Sequence, residues 1–337
     1  MARRPISFGL TFDFRNTAPE EKSFVDVYAE TLDLIELADE VGIDHVWLSE
    51  HHFTEDGHCP SLLPLAGAIA ARTKRIRISS YVFLLPLHDP LRVAEDVAVL
   101  DVISNGRMEL GVGLGYRIEE FEGFGIDRKH RASRMEEACQ ILLTAWTQDN
   151  WTFSGRHHEY RNVSVYPKPV QRPHPKLWIS GRNDIAASRA ARFRTPLLVA
   201  PQPYAIDPEA IYGGYASALR EAGEDPSRYE VAGSFNCIVT DDPKAYRAKV
   251  RSGSRQRAQT YEKWYSEAGD ISDDADRILN PKQTGWSPTV IGDPETCVEA
   301  LNGYLEHTSV PYTNLIMAVY DATAIEAFAR DVMPHFR

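Results

Sequence analysis

The sequence has few cysteines and no long apolar run, and both features limit what the protein can be. Its 337 residues include 4 cysteines, none of them in a Cys-x-x-Cys pair. This argues against a zinc ribbon or a disulfide scaffold and is typical of a reduced cytosolic enzyme. No apolar stretch approaches the ~18 residues that a transmembrane helix needs, and Asp13 interrupts the apolar stretch after the N-terminal arginines too early for a signal peptide. We therefore expect a cytoplasmic protein with no membrane partner.

Basic side chains are in the minority. The chain has 37 Lys and Arg against 48 Asp and Glu, which gives a formal net charge of −11. Because no Lys/Arg run offsets this acidic balance, we do not expect a nucleic-acid partner. The hydrophobic content of 43% and charged content of 25% are ordinary for a globular protein and exclude disordered and fibrous classes.

Strand-like and helix-like segments alternate along the whole chain. Eight such units predict an α/β fold with a parallel sheet, and eight favour closure into a (β/α)₈ TIM barrel over an open sheet. We expect one domain over residues 1–337. The predicted strands are 6–12, 45–49, 76–85, 107–112, 177–180, 196–200, 230–239 and 313–320.

Two stretches interrupt this alternation. Residues 151–176 place Ser154-Gly155 between β-like residues and then carry four prolines, which predicts an inserted hairpin and a proline-rich segment before the fifth barrel strand. Residues 251–288 are polar and rich in glycine, and we predict a long loop there, after the seventh barrel strand. A connection of that length in a compact barrel is typical of a lid.

Candidate acid–base residues follow the second predicted strand. In this fold the reactive groups lie on the loops after the strands, and Glu50, His51 and His52 stand there. An acid beside two histidines indicates proton transfer or a metal site. Adjacent strand residues point to opposite faces, and no His-x-His or His-Glu-x-x-His spacing completes a ligand set, so we expect no metal. Histidines with purely structural hydrogen bonds are the other interpretation.

Two further loops indicate an anionic, flat ligand. Gly111, Gly113 and Gly115 after the fourth strand let a backbone approach a ligand closely, although such a run is often only a tight turn. After the fifth strand, Gly181-Arg182-Asn183 opens a helix, where unpaired N–H groups and an arginine suit a phosphate. Ordinary capping by Asn183 or Asp184 is the alternative. Residues 81–88 keep the barrel mouth apolar, and a flavin mononucleotide (FMN) fits this outline.

The chain resembles the bacterial luciferase-like, flavin-dependent monooxygenases nearly from end to end. The resemblance rests on several motifs in the same order rather than on any one of them. They are DHVWLSEHHFTE (44–55), LLPLHDPLR (84–92), EDVAVLD (95–101), SNGR (104–107), PVQRP (169–173), IGDPE (291–295) and DVMP (331–334).

This resemblance implies a two-component monooxygenase. A separate NAD(P)H:flavin reductase would supply reduced FMN, which with O₂ would oxygenate a small apolar organic substrate through a flavin hydroperoxide. It also implies a homodimer. Two alternatives remain: a deazaflavin-dependent hydride-transfer oxidoreductase, and a flavin-binding homologue without catalysis.

The resemblance also assigns residues. It implies that His51 is the catalytic histidine, supported by Glu50 and His52, and that a non-prolyl cis peptide joins Tyr81 and Val82 under the flavin ring. Many relatives have a phosphate-binding arginine where this chain has Leu114, so Arg117 or Arg182 is expected to replace it. The implied cofactor-binding residues are Tyr81, Val82, Gly113, Leu114, Gly115, Tyr116, Arg117, Gly181, Arg182 and Asn183.

Overall fold

A computed structural model of the chain describes residues 5–199, 207–268, 289–319 and 321–337. The strands are β1 Ser7–Phe12, β2 His45–Leu48, β3 Arg77–Ser80, β4 Glu109–Val112, β5 Trp151–Ser154, β6 Glu159–Val163, β7 Lys176–Gly181, β8 Leu197–Val199, β9 Val231–Ser234, β10 Asn236–Val239, β11 Thr289–Gly292 and β12 Asn314–Met317. The helices are α1 Phe24–Glu40, α2 Leu62–Arg72, α3 Pro90–Ile103, α4 Ile118–Gly123, α5 Arg131–Thr147, α6 Asp184–Arg192, α7 Pro208–Glu221, α8 Pro243–Glu267, α9 Pro294–His307 and α10 Ala322–Ala327. None of these helices is long and apolar enough to cross a membrane.

Eight parallel strands form the central sheet, in the order β3-β2-β1-β12-β9-β8-β7-β4. A parallel bridge from Ile78 to Met108 connects the two end strands, so the sheet is a nearly closed barrel surrounded by helices. Side chains fill its interior, where Trp47 meets Trp178 edge to face at 5.6 Å between ring centroids. The predicted eight-stranded α/β barrel is confirmed.

Several helices begin at an aspartate whose side chain caps the first turn. The side chain of Asp89 accepts from the Arg92 N–H at 2.9 Å, and Pro90 occupies the first helical position of α3. Asp293 does the same for α9, accepting from the Thr296 N–H at 2.8 Å. These caps satisfy N–H groups that the helix itself leaves without partners.

Two predicted strands are wrong in extent. The apolar run 76–85 contributes only β3, because the chain then turns through a cis Tyr81–Val82 bond into a short 3₁₀ turn at Leu85–Leu87. The run 230–239 divides into β9, in the barrel, and β10, which pairs with β11 in a separate two-stranded parallel sheet. Residue composition is β-like throughout both runs and therefore does not mark where the chain leaves the barrel.

The first predicted interruption is confirmed and the second is partly wrong. Strands β5 and β6 pair antiparallel, as the predicted hairpin requires, and a proline-rich segment leads from them to β7. In the predicted loop 251–288, residues up to Glu267 belong to helix α8 instead. Residues 269–288 lie outside the described part of the chain.

Candidate active site

The sequence-predicted residues come from loops at one end of the barrel. Glu50, His51 and His52 follow β2, and Tyr81 and Val82 follow β3. The loop after β4 carries residues 113–117, and residues 182–183 follow β7. Because the strands are parallel, these loops all lie at the carboxyl-terminal mouth of the barrel.

His51 is held by a carboxylate that the sequence did not single out. Its Nδ1 lies 2.8 Å from Glu120 Oε1, and the same oxygen accepts from the His52 N–H at 3.0 Å. Glu120 is fully buried on α4. Since a carboxylate accepts, Nδ1 is the nitrogen that donates to Glu120, and in the neutral imidazole Nε2 is then the acceptor nitrogen. Only the fold brings Glu120 and His51 together, because they are 69 residues apart.

Aromatic side chains surround the His51 imidazole. The ring centroids of Trp264, Tyr116 and Tyr261 lie 4.8, 5.7 and 5.8 Å from that of His51. Trp264 and Tyr261 belong to the last turns of α8, which therefore covers the histidine. This enclosure leaves His51 only 6% exposed. Such a lining restricts water and favours an apolar substrate.

Glu50 and His52 belong to a second hydrogen-bonded group. Glu50 Oε1 lies 2.7 Å from Nε2 of both His52 and His88, and Oε2 accepts from the Leu84 N–H at 2.8 Å. Burial acts to raise the pKa of Glu50, but these hydrogen bonds and the histidine charges outweigh it and lower the pKa to about 2. His52 thus braces the loop, while His51 faces the aromatic enclosure.

The same three side chains can also be considered as metal ligands. One ligand atom each from Glu50, His52 and His88 lies within 4.8 Å of the others. The sequence-based expectation of no metal did not include His88, which follows a different strand. Hydrogen bonds from the two imidazoles to the Glu50 carboxylate explain this cluster without a metal ion.

Arg117 lies against the histidine loop. Its Nη1 donates to the His52 carbonyl at 2.7 Å and lies 3.4 Å from Glu120 Oε1. Its guanidinium also stacks on Trp264 at 4.2 Å from the ring centroid. The side chain thereby links the loop after β2 to α8.

The glycines of residues 111–115 serve the packing of the barrel itself. A Cβ on Gly111 would overlap the Ser80 carbonyl oxygen, and one on Gly113 would lie 2.5 Å from Val82. The segment after β3 needs this space because Phe83 donates to the Gly111 carbonyl at 2.7 Å and accepts from the Gly113 N–H at 2.9 Å. Val82 belongs to the predicted cis Tyr81–Val82 bond, which is confirmed.

A cavity of about 320 Å³ adjoins the N-terminal end of α6. Its described lining includes the basic side chains of Lys129, Arg131 and Arg189 and no carboxylate, a composition that suits a phosphate group. Of the predicted cofactor-binding residues, Leu114 and Asn183 line it, whereas Arg117 and Arg182 do not. The lining residues are Leu114, Lys129, Arg131, Ala132, Asn183, Ile185, Ala186 and Arg189.

The barrel mouth therefore combines an enclosed histidine, an aromatic wall and a basic cavity. The model of the luciferase-like monooxygenase family matches residues 6–310, and the chain belongs to this family. Proteins similar to the chain include a monooxygenase component and a dehydrogenase.

Individual relatives differ in cofactor. The chain is 22% identical over 335 residues to the oxygenase component of flavin-dependent trigonelline monooxygenase from Acinetobacter baylyi, covering 94% of this chain and 92% of that protein. It is 36% identical over 171 residues to an F420-dependent glucose-6-phosphate dehydrogenase of Amycolatopsis mediterranei, covering 48% of this chain and 50% of that protein. It is 37% identical over 186 residues to the uncharacterized Sinorhizobium fredii protein y4wF. That match covers 55% of this chain and 54% of the length of y4wF.

The fold is shared with solved structures. The crystal structure of monooxygenase RslO1 from Streptomyces bottropensis has a TM-score of 0.82 and 26% identity, covering 98% of this chain and 100% of that one.

Proposed function

We propose that the protein is the oxygenase component of a two-component, FMN-dependent monooxygenase. The observation that carries this proposal is the His51–Glu120 pair, which presents Nε2 as a proton acceptor inside an aromatic enclosure. The basic cavity beside α6 supports a flavin nucleotide that ends in a phosphate. The trigonelline monooxygenase relative is itself named as a flavin-dependent oxygenase component.

Each part of the site has a role in this reaction. Reduced FMN, when bound, supplies the electrons with which O₂ is activated. His51 Nε2 accepts or returns a proton at the reacting oxygen, while Glu120 fixes the tautomer and orientation of the ring. Water is excluded by the rings of Trp264, Tyr261 and Tyr116. This exclusion favours oxygenation of the substrate over release of hydrogen peroxide. We propose a small apolar organic substrate, an NAD(P)H:flavin reductase as partner, and a homodimer.

A deazaflavin-dependent hydride transfer is the second candidate. The observation in its favour is the 36% identity to an F420-dependent dehydrogenase over half of this chain. In that reaction no oxygen is consumed, so the two candidates differ in a measurable product.

The test supplies the protein with NADH, FMN and a flavin reductase under ¹⁸O₂. A panel of small ketones, aldehydes and aromatic compounds is then screened by mass spectrometry for the gain of one ¹⁸O atom. We expect one or more of these probes to be oxygenated. FMN binding without oxygenation would favour the non-catalytic homologue, and oxidation of alcohols with F420 as acceptor would favour hydride transfer.

His51→Ala should lower oxygenation by about 10²–10⁴-fold, the usual contribution of a general acid–base. FMN affinity should stay within a few-fold of the parent, and the electrons should appear as hydrogen peroxide. His52→Ala is the matched comparison and should affect stability more than turnover, because His52 braces Glu50. Parental product yield in His51→Ala would move the proton-transfer role to another residue.

A further inference from the structure

Two of the four cysteines, which are far apart in the sequence, meet in the folded protein. Cys237 lies on β10 and Cys297 in the first turn of α9. Both thiols are free and buried, and their side chains are hydrogen-bonded to each other. We propose that Cys237 and Cys297 form a modification site at which hydrogen peroxide closes a reversible disulfide. This inference goes beyond the proposed function and can be tested without a flavin.

The small sheet of β10 and β11 places the Cys297 sulfur beside Cys237. Cys297 Sγ lies 3.6 Å from the carbonyl oxygen of Ile238 and 3.6 Å from that of Gly292. Ile238 directly follows Cys237 on β10, so the Cys297 thiol reaches this strand next to Cys237. A disulfide requires two cysteine side chains that face each other at close range. Because the two thiols are already in contact, we expect the bond to form without a change in the pairing of β10 with β11.

The two thiols differ in acidity. The hydrogen bond between them raises the pKa of Cys237, as does its burial, and lowers the pKa of Cys297. The first turn of α9 also favours a negative charge on Cys297, because helix N–H groups point toward it. Since the thiolate is the form that reacts with peroxide, Cys297 is the attacking sulfur and Cys237 the sulfur that completes the disulfide.

The reaction takes two balanced steps. The Cys297 thiolate attacks one oxygen of hydrogen peroxide, the O–O bond breaks, and the sulfur becomes a sulfenic acid. The hydroxide that leaves becomes water with the proton that the thiol gave up. The Cys237 sulfur then attacks the sulfenic sulfur, the S–O bond breaks, and a second water leaves as the S–S bond forms. Both thiols together lose two electrons and two protons, and one peroxide is reduced to two waters.

Cys59 and Cys139 are buried cysteines without this arrangement. Burial raises the pKa of Cys59 to about 11 and that of Cys139 to about 12. Of the four cysteines, only Cys237 and Cys297 form a hydrogen bond between thiols. We therefore expect Cys59 and Cys139 to stay reduced under conditions that oxidise the pair, which makes them internal controls.

Enclosure determines how fast the pair responds. Cys297 is 0% exposed and Cys237 is 1% exposed, so peroxide reaches them only when the surrounding structure opens locally. We therefore expect oxidation over minutes to hours, in response to sustained peroxide. The disulfide would attach α9 to the strand that leads into α8, the helix that covers His51.

The experiment treats the whole reduced protein with hydrogen peroxide and then alkylates the remaining thiols in denaturant. Intact mass counts these thiols, and peptide mapping locates any disulfide. We expect four free thiols to fall to two, a single bond between Cys237 and Cys297, and a return to four in dithiothreitol. Retention of all four thiols, or a disulfide that involves Cys59 or Cys139, would overturn the proposal.

Serine variants separate the roles of the two sulfurs. Cys237→Ser leaves the attacking thiol without a partner, so its sulfenic acid should be trapped at Cys297 by dimedone. Cys297→Ser should react with peroxide at Cys237 roughly 10-fold more slowly. Cys139→Ser is the matched control and should form the disulfide at the parental rate. Dimedone labelling that is faster at Cys237 in Cys297→Ser than at Cys297 in Cys237→Ser would reverse the assignment. Alanine replaces serine where a variant fails to fold.

Thermal unfolding provides a second measurement. A disulfide that closes a long stretch of chain restricts the unfolded state, so the oxidised parent should unfold a few degrees above the reduced parent. Cys237→Ser treated in the same way should show no such rise. An oxidised parent that unfolds at the same or a lower temperature would contradict a pair arranged for bonding in the native fold. Failure to bind FMN or to oxygenate a probe would contradict the proposed function and leave these outcomes unchanged.

Discussion

Glu50 shows how a buried charge is maintained at the mouth of the barrel. Its carboxylate is fully enclosed, yet it accepts hydrogen bonds from the Leu84 N–H and from two imidazoles. A buried carboxylate without such partners would take up a proton instead. Glu50 therefore links the loop after β2 to the loop after β3. Because its pKa is lowered in the folded protein, its ionisation contributes to the free energy of unfolding.

The pH dependence of stability follows from this shift. The pKa of Glu50 is about 2 in the folded protein against an ordinary value of 4.5. The contribution of the ionised Glu50 carboxylate to the free energy of unfolding is therefore complete above pH 4.5 and is lost as the pH falls toward 2. Glu50→Gln should lower the free energy of unfolding by about 3–5 kcal/mol at pH 7 and reduce the further loss of that free energy between pH 5 and pH 3. Urea unfolding at several pH values measures both.

The exposed Glu122 provides the control for this prediction. Glu122→Gln should follow the parent at each pH. Glu109 is another buried carboxylate of lowered pKa, and it is present in the parent and in both variants. A difference between them in how the free energy of unfolding changes with pH is therefore due to Glu50. A Glu50→Gln variant with the same acid sensitivity as the parent would contradict this assignment.

At the scale of the element, helix α8 decides how closed the site is. Its last turns place Trp264 on the Arg117 guanidinium and beside the His51 ring. Just beyond the helix, the Ala268 carbonyl accepts from Arg128 Nη2 at 3.1 Å. The end of α8 is thus attached to the barrel mouth at both the histidine loop and the segment before α5.

Trp264→Leu should expose His51. A cation–π contact contributes about 0.5–2 kcal/mol, so its loss should speed the modification of His51 by diethyl pyrocarbonate about 2- to 30-fold. Peptide mass spectrometry measures that rate, with His52 in the same peptide region as an internal reference. Trp151→Leu, on the inserted hairpin, is the matched variant and should not change it. An unchanged rate in Trp264→Leu would show that α8 does not limit access.

At the scale of the whole molecule, closure of the barrel depends on a glycine, Gly111, where no other side chain would fit. The end strands β3 and β4 meet where Gly111 faces the Ser80 carbonyl oxygen. The Ser80 hydroxyl donates to the Gly111 carbonyl at 2.8 Å and accepts from the Gly111 N–H at 3.0 Å. A larger residue at this position would separate the strands that complete the barrel.

Gly111→Ala should therefore destabilise the protein by about 3 kcal/mol, the upper part of the usual range for overpacking. Gly213→Ala is the comparison, because a Cβ on Gly213 in α7 meets nothing within 4 Å. Alanine is favoured over glycine inside a helix by roughly 0.5–1 kcal/mol, so this variant should be slightly more stable. Thermal unfolding of both variants measures the difference. Equal melting temperatures would contradict the packing argument.

The sequence by itself determined the periodic part of the protein. Alternating strand and helix patterns and capping residues such as Asp89 and Asp293 are local, and the eight-stranded barrel followed from their number and order. The family motifs predicted the cis Tyr81–Val82 bond, which the structure contains. They also nominated His51, whose catalytic role stays a prediction.

Only the tertiary structure decided which distant side chains meet. Glu120 reaches His51 across 69 residues, and His88 reaches Glu50 across 38. Trp264 lies on a segment whose polar composition predicts a loop, but α8 continues through it and packs on Arg117. Such contacts depend on where separate strands end around the barrel mouth. No local pattern of residues encodes where a strand ends relative to the other strands, because side chains such as Glu120, His88 and Trp264 are each capable of many other contacts.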